Sequence, residues 1–358
     1  MENKRYIFFD GNMGSGGAER VITLLSNHMI ENNENVEILT YQHAKMFFPI
    51  DERVKVHSVC DECKSKSIVS RLKWMRKYIK NNGDCLISFL APYNMLALVA
   101  TRGLKVEVIV ADRNDPRFVP EKKPVRLIRD LLYKFADKIV CQTDSNKSYF
   151  GKVIRRKCSV IPNPVNLPEQ WKRAALVSET KKKIVSVGRL KPQKNQCMLI
   201  KAFAEFHKKY SDYSLVIYGE GPMRNELIAL SEQLGVSDSV DFPGNESDIF
   251  AKISDATMFV LSSNYEGMPN ALLEAMCISL PVISTKVSGA VDLIKDGENG
   301  LLVDCGNVNE LTQAMIRMAS DDNLRNRCAK NAGEINETLS IEAVSAQWAD
   351  LLNIKKSR

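Results

Sequence analysis

Residues 264–276 read Asn-Tyr-Glu-Gly-Met-Pro-Asn-Ala-Leu-Leu-Glu-Ala-Met, and this stretch decides the fold. It follows an apolar run at 256–262 that contains β-branched residues, which predicts a buried strand. Within the stretch itself, the apolar residues Leu272 and Met276 are four apart, which is the spacing of one helix face. Pro269 suits the first turn of that helix, because its fixed φ is compatible and its missing N–H is not needed there. The sequence therefore predicts a strand, a glycine-containing turn and a helix.

This turn is predicted to bind an anion, because the N–H groups that open a helix have no acceptor within the helix. Glu266 lies on the turn, and Glu274 lies inside the helix on the same face as Asn270 and Ala271. A phosphate would bind at the helix tip, and the two carboxylates would hold hydroxyl groups beside it. A nucleotide sugar is a ligand that carries both kinds of group. An ordinary strand–helix unit with two solvated carboxylates is the alternative interpretation.

The Glu266 and Glu274 pair resembles the Glu-x7-Glu signature of the family-4 retaining glycosyltransferases, and the flanking text Glu-Gly-Met-Pro-Asn-Ala-Leu-Leu-Glu-Ala-Met strengthens the match. The resemblance covers nearly the whole chain and is densest over 184–304. It implies the α/β GT-B fold, in which two Rossmann-like, doubly wound domains face each other across a cleft. It also implies a C-terminal helix that returns to the first domain.

The chain has 358 residues, which is enough for two domains. With the resemblance, this predicts an N-terminal Rossmann-like, acceptor-binding domain at 1–165 and a C-terminal Rossmann-like, nucleotide-sugar-binding domain at 183–340. The polar residues 166–182 are predicted to form the linker. Residues 341–358 are predicted to form the helix that crosses back to the first domain.

Composition indicates a globular protein with sizeable cores, since 44% of residues are hydrophobic and 26% are charged. No signal peptide or run of membrane-spanning length is recognised. The nine Cys are scattered and odd in number, which is typical of reduced cytosolic thiols. His57, Cys60 and Cys63 have the spacing of part of a metal site but lack a second pair, so no metal site is predicted.

Charge is unevenly distributed along the chain. Residues 1–165 contain 28 Lys and Arg against 18 Asp and Glu, a net charge of +10, whereas residues 166–358 contain 22 against 25, a net charge of −3. The basic half is therefore predicted to meet an anionic surface. No nucleic-acid motif or basic–aromatic interleaving is present. With the resemblance to transferases of lipid-linked glycans, the expected surface is the inner face of the cell membrane, with the protein cytoplasmic and peripheral.

Two basic amphipathic stretches, at 68–80 and around 122–134, favour this membrane contact. For the first stretch, the alternative is that it packs on the sheet and exposes a solvated basic face. The apolar stripe of the first stretch consists of Ile68, Leu72, Met75 and Ile79. The basic residues of the second stretch are Lys122, Lys123, Arg126, Arg129 and Lys134.

Two further segments of the first domain resemble family-4 sequences. The text Gly-Gly-Ala-Glu-Arg at 16–20 follows the first strand, and in the family this loop approaches the donor sugar and phosphates. A turn that requires φ > 0 at these glycines is compatible with that role. Where many relatives have His, this chain has Arg113 in an Arg-Asn-Asp-Pro text. Arg113 is predicted to clamp a phosphate or the acceptor.

In the second domain, Arg189 and Lys194 match the family's Gly-Arg…Lys element, whose cations hold the diphosphate. Fixed cations stabilise the charge that develops on a leaving nucleoside diphosphate. Glu266, Arg189, Lys194 and Arg113 are the predicted catalytic residues. The nucleotide-sugar site is predicted to contain Gly16, Gly17, Gly188, Arg189, Lys194, Gly244, Asn245, Glu266, Gly267, Met268, Pro269, Asn270, Ala271 and Glu274.

These features predict a retaining transferase that moves a hexose or N-acetylhexosamine from a nucleotide sugar, with UDP as carrier, to a lipid-pyrophosphate-linked glycan. Asp-x-Asp, the metal–diphosphate motif of other transferases, does not occur, so no metal or other cofactor is expected. The alternatives are another GT-B enzyme, such as a sugar-nucleotide epimerase or a phosphorylase, and a non-catalytic membrane assembly module.

Overall fold

The computed structural model describes residues 4–14, 16–165, 167, 181–246 and 248–353. The chain forms two compact units, of which the first comprises Met1–Pro164 and Ile341–Arg358 and the second comprises Val165–Ser340. Of the predicted linker at 166–182, residues 166 and 168–180 lie outside the described residues. Lys181 and Lys182 already belong to the first strand of the second unit, so that strand begins two residues before the predicted domain start.

The first unit contains a seven-stranded parallel sheet with the order β3-β2-β1-β4-β5-β6-β7. Its central strands are apolar and buried along nearly their whole length, as expected for a sheet that is covered on both faces. The strands are β1 (Arg5–Asp10), β2 (Asn35–Thr40), β3 (Lys55–Ser58), β4 (Cys85–Phe89), β5 (Glu107–Ala111), β6 (Lys138–Cys141) and β7 (Cys158–Val160).

Helices cover both faces of this sheet. The C-terminal helix packs into the first unit, where Val344 and Trp348 are buried with residues of the helix Gly17–Glu31, and the Trp348 and Phe89 rings lie 6.2 Å apart. The helices of this unit are Gly17–Glu31, Val59–Glu62, Ile68–Asn82, Ala91–Thr101, Lys123–Tyr133, Asp144–Tyr149, Lys152–Arg155 and Ile341–Leu352.

The second unit contains a six-stranded parallel sheet with the order β10-β9-β8-β11-β12-β13. Its strands are β8 (Lys181–Val187), β9 (Ser214–Tyr218), β10 (Val240–Gly244), β11 (Ala256–Leu261), β12 (Val282–Thr285) and β13 (Leu301–Val303). Two hydrophobic cores lie on opposite faces of the sheet. Parallel order with helices on both faces confirms the predicted doubly wound α/β class in both units.

The helices of the second unit connect these strands, and one 3₁₀ turn, Pro192–Lys194, follows β8. None of the helices among the described residues has the length and apolar character needed to span a membrane. The helices of this unit are Gln196–His207, Arg224–Gln233, Ile249–Ile253, Asn270–Cys277, Ser288–Leu293, Val308–Ser320, Asp322–Ala332 and Ile335–Thr338, with a second 3₁₀ turn at Ser237–Ser239.

The strand order places a topological switch point in each sheet. The chain leaves β1 toward β2 on one side, whereas β4 pairs with β1 on the other side, and β8 stands in the same relation to β9 and β11. Ligands of doubly wound sheets bind at the carboxyl ends of the strands at such a point. The loops after β8 and β11 are therefore adjacent and well placed to form a site.

Candidate functional site

Glu266 lies on the turn after β11 and is 8% exposed. Its Oε1 accepts a hydrogen bond of 2.7 Å from the Ser263 hydroxyl. Thr285, at the end of β12, donates its hydroxyl to the Ser263 carbonyl at 2.6 Å. The turn is thus anchored to the neighbouring strand, and the carboxylate is held in one orientation.

Lys194 contacts Glu266 directly. Its Nζ lies 2.6 Å from Glu266 Oε1, and the two side chains are only 20% and 10% exposed. Lys194 comes from the loop after β8 and Glu266 from the loop after β11, so the ion pair bridges the two strands at the switch point. Partial exclusion of water strengthens the attraction between these charges. The sequence predicted both residues for the site but not their contact.

The loop after β8 is joined to the loop after β11 by further hydrogen bonds, from residues that sequence reasoning missed. The Asn264 N–H donates to the Gln193 carbonyl at 2.8 Å, and the Ser262 hydroxyl donates to the Lys194 carbonyl at 2.9 Å. Asn195 Nδ2 donates to Asn264 Oδ1 at 3.0 Å, and Gln193 Nε2 donates to the Tyr265 carbonyl at 3.0 Å. These bonds fix the position of the Lys194 backbone relative to Glu266.

Gly188 lies directly under the Lys194 side chain. A Cβ at Gly188 would lie 3.2 Å from Lys194 Cε, so glycine leaves room for the lysine stem. Arg189, the next residue, is exposed, and within the described part of the chain no carboxylate pairs with its guanidinium. Arg189 is therefore an exposed cation on the same loop as Lys194.

The helix after the turn begins at Asn270, and Pro269 precedes it in an extended conformation, which corrects the predicted place of Pro269 within the first helical turn. Glu274 is 8% exposed and lies in the second turn of this helix. Gly289 packs against the turn from the next helix, because a Cβ there would lie 2.4 Å from the Gly267 carbonyl oxygen. This close approach, which sequence reasoning missed, holds Gly267 and Pro269 in place.

Gly244 ends β10 with a φ of +91°, a conformation that favours glycine. Its carbonyl accepts a hydrogen bond of 2.7 Å from the Gly219 N–H at the end of β9. Asn245 follows and is exposed. Both predicted residues therefore lie at the same carboxyl edge of the sheet as Lys194 and Glu266.

Gly16 and Gly17 lie at the corresponding edge of the first unit. Gly16 precedes the helix Gly17–Glu31 with a φ of −82°, which any residue adopts, and Gly17 is not among the glycines with positive φ. The alternative interpretation of these glycines, a turn that requires φ > 0, is therefore not what the structure has. A Cβ at Gly16 would meet the carboxylate of Glu19 at 2.2 Å, so a larger residue here would have to displace the Glu19 side chain.

Arg113 follows β5 and is buried, with 7% of its surface exposed. Its Nη1 donates to Asn163 Oδ1 at 2.8 Å, and its guanidinium lies over the rings of Phe89 and Trp348 at 4.8 and 5.7 Å. No described residue accepts a hydrogen bond from its Nε or Nη2. Burial lowers the pKa of Arg113 to about 9, and the carboxylate of Asp112 acts in the opposite direction. Asn163, which orients this cation, was missed by sequence reasoning.

The basic stretches of the first unit differ from their predicted pattern. In the helix Ile68–Asn82, Met75 and Ile79 are buried as predicted, but Ile68 is 56% exposed. In the helix Lys123–Tyr133, Arg129 is fully buried and does not belong to a solvated basic face.

His57, Cys60 and Cys63, which have the spacing of part of a metal site, lie in the first unit. His57 Nδ1 lies 2.8 Å from Glu62 Oε1, and Cys63 is buried. Throughout the described ranges, no group of three or more His, Cys, Asp and Glu side chains is placed to hold a metal ion.

Comparison with known proteins identifies the family. A model described as Glycosyltransferase Family 4 matches residues 15–169, and a model described as Glycosyl transferases group 1 matches residues 168–334. Together these matches cover residues 15–334, which include all the predicted site residues of both units.

Two similar proteins come from Campylobacter jejuni. One, named GalNAc-α-(1→4)-GalNAc-α-(1→3)-diNAcBac-PP-undecaprenol α-1,4-N-acetyl-D-galactosaminyltransferase, is 29% identical over 354 residues, which are 96% of this chain and 97% of that protein. The other, named N-acetylgalactosamine-N,N'-diacetylbacillosaminyl-diphospho-undecaprenol 4-α-N-acetylgalactosaminyltransferase, is 31% identical over 334 residues, which are 87% of this chain and 89% of that protein.

Among solved structures, Anabaena HepE in complex with UDP and glucose superimposes with a TM-score of 0.83 at 18% identity, over 99% of this chain and 100% of that one. This similarity concerns the fold, and the sequence matches concern the family. The chain therefore belongs to the family-4 glycosyltransferases, has their GT-B fold and is a glycosyltransferase.

Proposed function

We propose that this protein is a retaining glycosyltransferase that moves a hexose or N-acetylhexosamine from a UDP-sugar to a lipid-pyrophosphate-linked glycan. The observation that carries the proposal is the contact between Lys194 and Glu266, at 2.6 Å, where β8 and β11 end side by side. A fixed cation and a fixed carboxylate at a switch point suit a ligand that combines phosphates with sugar hydroxyls.

Lys194 and Arg189 stabilise the leaving diphosphate. Negative charge grows on the nucleoside diphosphate as the glycosidic bond breaks, and cations already in position stabilise it without reorganisation. The N–H groups at the start of the helix Asn270–Cys277 add to this field. Arg113 is a buried cation whose Nε and Nη2 have no hydrogen-bond partner among the described residues, and it serves as a clamp for a phosphate or the acceptor.

The two carboxylates have different roles. Glu274 lies in the helix beside the phosphate-binding N–H groups and holds the ribose hydroxyls. Glu266 lies on the preceding turn and holds the transferred sugar or stabilises the positive charge at its anomeric carbon. Retention follows when the acceptor attacks on the face that the diphosphate leaves. A covalent role for Glu266 is the second route to retention.

The nature of the donor and the acceptor is inferred from relatives. The names of both Campylobacter jejuni proteins contain undecaprenol linked through a diphosphate, written PP-undecaprenol in one and diphospho-undecaprenol in the other. The HepE structure contains UDP. By analogy, the donor here is a UDP-sugar and the acceptor is a pyrophosphate-linked lipid glycan in cell-surface polysaccharide or glycan assembly. A lipid acceptor places the enzyme at the inner face of the membrane as a cytoplasmic, peripheral protein, with its basic first unit toward anionic lipid.

The proposal is tested with a panel of UDP- and GDP-sugars. A UDP-sugar that binds the native state is expected to raise the melting temperature, because ligand binding stabilises the folded protein by mass action. The same donor should be consumed when a lipid-pyrophosphate glycan is added. Donor consumption without any acceptor would indicate an epimerase, consumption that requires inorganic phosphate would indicate a phosphorylase, and no turnover with any donor would favour a non-catalytic module.

Turnover is expected not to require a divalent ion. Asp-x-Asp is absent from the sequence, and Lys194 and Arg189 supply the positive charge that a metal supplies in other transferases. Initial rates measured after treatment with a chelator should equal those of untreated enzyme. Loss of activity on chelation that Mn²⁺ or Mg²⁺ restores would contradict this prediction.

A further inference from the structure

The helix Lys123–Tyr133 of the first unit has a second, exposed apolar row besides its inward face. Leu127, Ile128 and Leu131 are 70%, 54% and 55% exposed, whereas Arg129 is 0% exposed. The inward face also contains Tyr133, which is buried, and Leu132, which packs against the core. A helix that packs on a sheet normally presents polar residues on its outer face, so this exposed row requires an explanation.

Arg129 fixes the rotation of the helix. Its Nη1 donates to the carbonyls of Pro116 and Val119 at 3.0 and 2.6 Å, and its Nε donates to Asp130 Oδ1 at 2.9 Å. Its guanidinium also lies 5.3 Å from the ring centre of Phe150. Rotating the helix to bury the leucines would remove these partners from a buried charge, which is strongly unfavourable.

The exposed side chains form one continuous surface. Residues four apart on a helix are neighbours, so Leu127 and Leu131 lie side by side, and Phe135 continues the row just beyond the helix. Phe135 is 45% exposed. We call Leu127, Ile128, Leu131 and Phe135 the apolar face. A contiguous apolar surface on a folded unit marks an interaction site.

Basic residues border the apolar face. Lys122, Lys123 and Lys134 are exposed, and the Arg102 guanidinium lies 4.0 Å from the Phe135 ring centre. Of the nearby acidic residues, Asp130 is paired with Arg129. An exposed apolar stripe with a cationic border is the pattern of a helix that lies in a membrane interface, where lysines meet anionic headgroups.

We propose that the helix Lys123–Tyr133 inserts its apolar face into the acyl boundary of an anionic bilayer and thereby holds the enzyme at the membrane. This inference rests on the proposed lipid-linked acceptor and deepens it, since it names the surface that reaches the lipid. The helix Ile68–Asn82 is a weaker candidate, because Met75 and Ile79 in its apolar stripe are buried in the protein.

The test compares three forms of the full chain in flotation with vesicles of phosphatidylglycerol and phosphatidylcholine. The apolar variant carries Leu127→Gln, Ile128→Gln and Leu131→Gln, and the basic variant carries Lys122→Gln, Lys123→Gln and Lys134→Gln. A Val291→Gln variant is the control, because Val291 is a 43% exposed apolar residue of the second unit. Melting temperatures of all forms should match the parent, since every substituted side chain is exposed.

The apolar variant is expected to bind vesicles at least about 30-fold more weakly, because three side chains lose the free energy of transfer into lipid. The parent should keep part of its binding in high salt, whereas the basic variant should bind weakly and with little dependence on salt. An Ile128→Trp variant should show fluorescence that brominated lipid quenches. Vesicle binding of the apolar variant equal to that of the parent would overturn the proposal.

Two further measurements, of the oligomeric state and of transfer to a soluble acceptor, distinguish membrane insertion from the alternatives. If the parent is a dimer, and the apolar variant is a monomer that still floats with vesicles, the face joins two copies of the chain and the proposal is wrong. Transfer to a water-soluble, short-chain pyrophosphate glycan should be unchanged in the apolar variant. Failure of that transfer in the parent would count against the proposed function and leave the vesicle result standing.

Discussion

Replacement of Lys194 by Met is expected to lower kcat about 100-fold, the size of effect that follows removal of one preorganised donor to developing negative charge. Lys194 is held in place by its contact with Glu266 and by the bonds that fix its backbone, so its ammonium needs no reorganisation during the reaction. Methionine keeps an apolar stem over Gly188 and removes the ammonium together with its contact to Glu266. The measurement is the steady-state rate at saturating UDP-sugar.

Lys191→Met is the matched control, since Lys191 is an exposed lysine three residues earlier on the same loop. Its substitution should leave kcat within a factor of about two, as surface changes away from a site usually have small effects. A Lys194→Met enzyme with parental kcat and an unchanged fold would remove Lys194 from the catalytic site.

Glu266→Gln and Glu274→Gln are expected to affect different steps. Glu266→Gln should slow the single-turnover rate roughly tenfold or more, and Glu274→Gln should weaken donor Kd by a similar factor, since a hydrogen bond to a charged group contributes about 1.5–3 kcal/mol. Loss of turnover with unchanged binding marks an interaction made in the transition state, whereas loss of affinity marks ground-state binding. Glu298→Gln, an exposed glutamate of the same unit, is the control.

Because Lys194 and Glu266 are in contact, the effects of substituting them are expected to be coupled. Residues in direct contact are not independent, so the double variant should lose less activity than the two single effects multiplied together. Melting curves must accompany the rates, because glutamine in place of Glu266 leaves the partly buried Lys194 without its counter-charge. A Glu266→Gln enzyme that turns over at the parental rate would exclude Glu266 from catalysis.

Local patterns in the sequence carried much of the fold. The strand before residue 262 and the helix after Pro269 follow from apolar runs and helical spacing, and the structure has both. The doubly wound class was implied by the resemblance of this sequence to family-4 sequences. The strand and the helix were accessible without the structure because their signals lie within a few adjacent residues.

Features that depend on packing between distant segments were not accessible. The contact between Lys194 and Glu266 requires that β8 and β11 be neighbours, and the role of Gly289 requires that its helix cross the turn at Gly267. Arg129 was counted among the basic residues of a stretch expected at an anionic surface, yet the carbonyls of Pro116 and Val119 bind it in the interior. The positions of backbone carbonyls depend on the fold, so the spacing of polar and apolar residues does not reveal them.

The central claim is tested most directly by the anomeric configuration of the product. The enzyme is incubated with a lipid-pyrophosphate glycan and the α-linked UDP-sugar that stabilises it most, and the isolated product is analysed by the coupling between the anomeric proton and its neighbour in NMR. We expect an α-linked sugar, one UDP released for each sugar transferred, and loss of both in Lys194→Met. A β-linked product, or UDP release that is independent of the acceptor, would contradict the account.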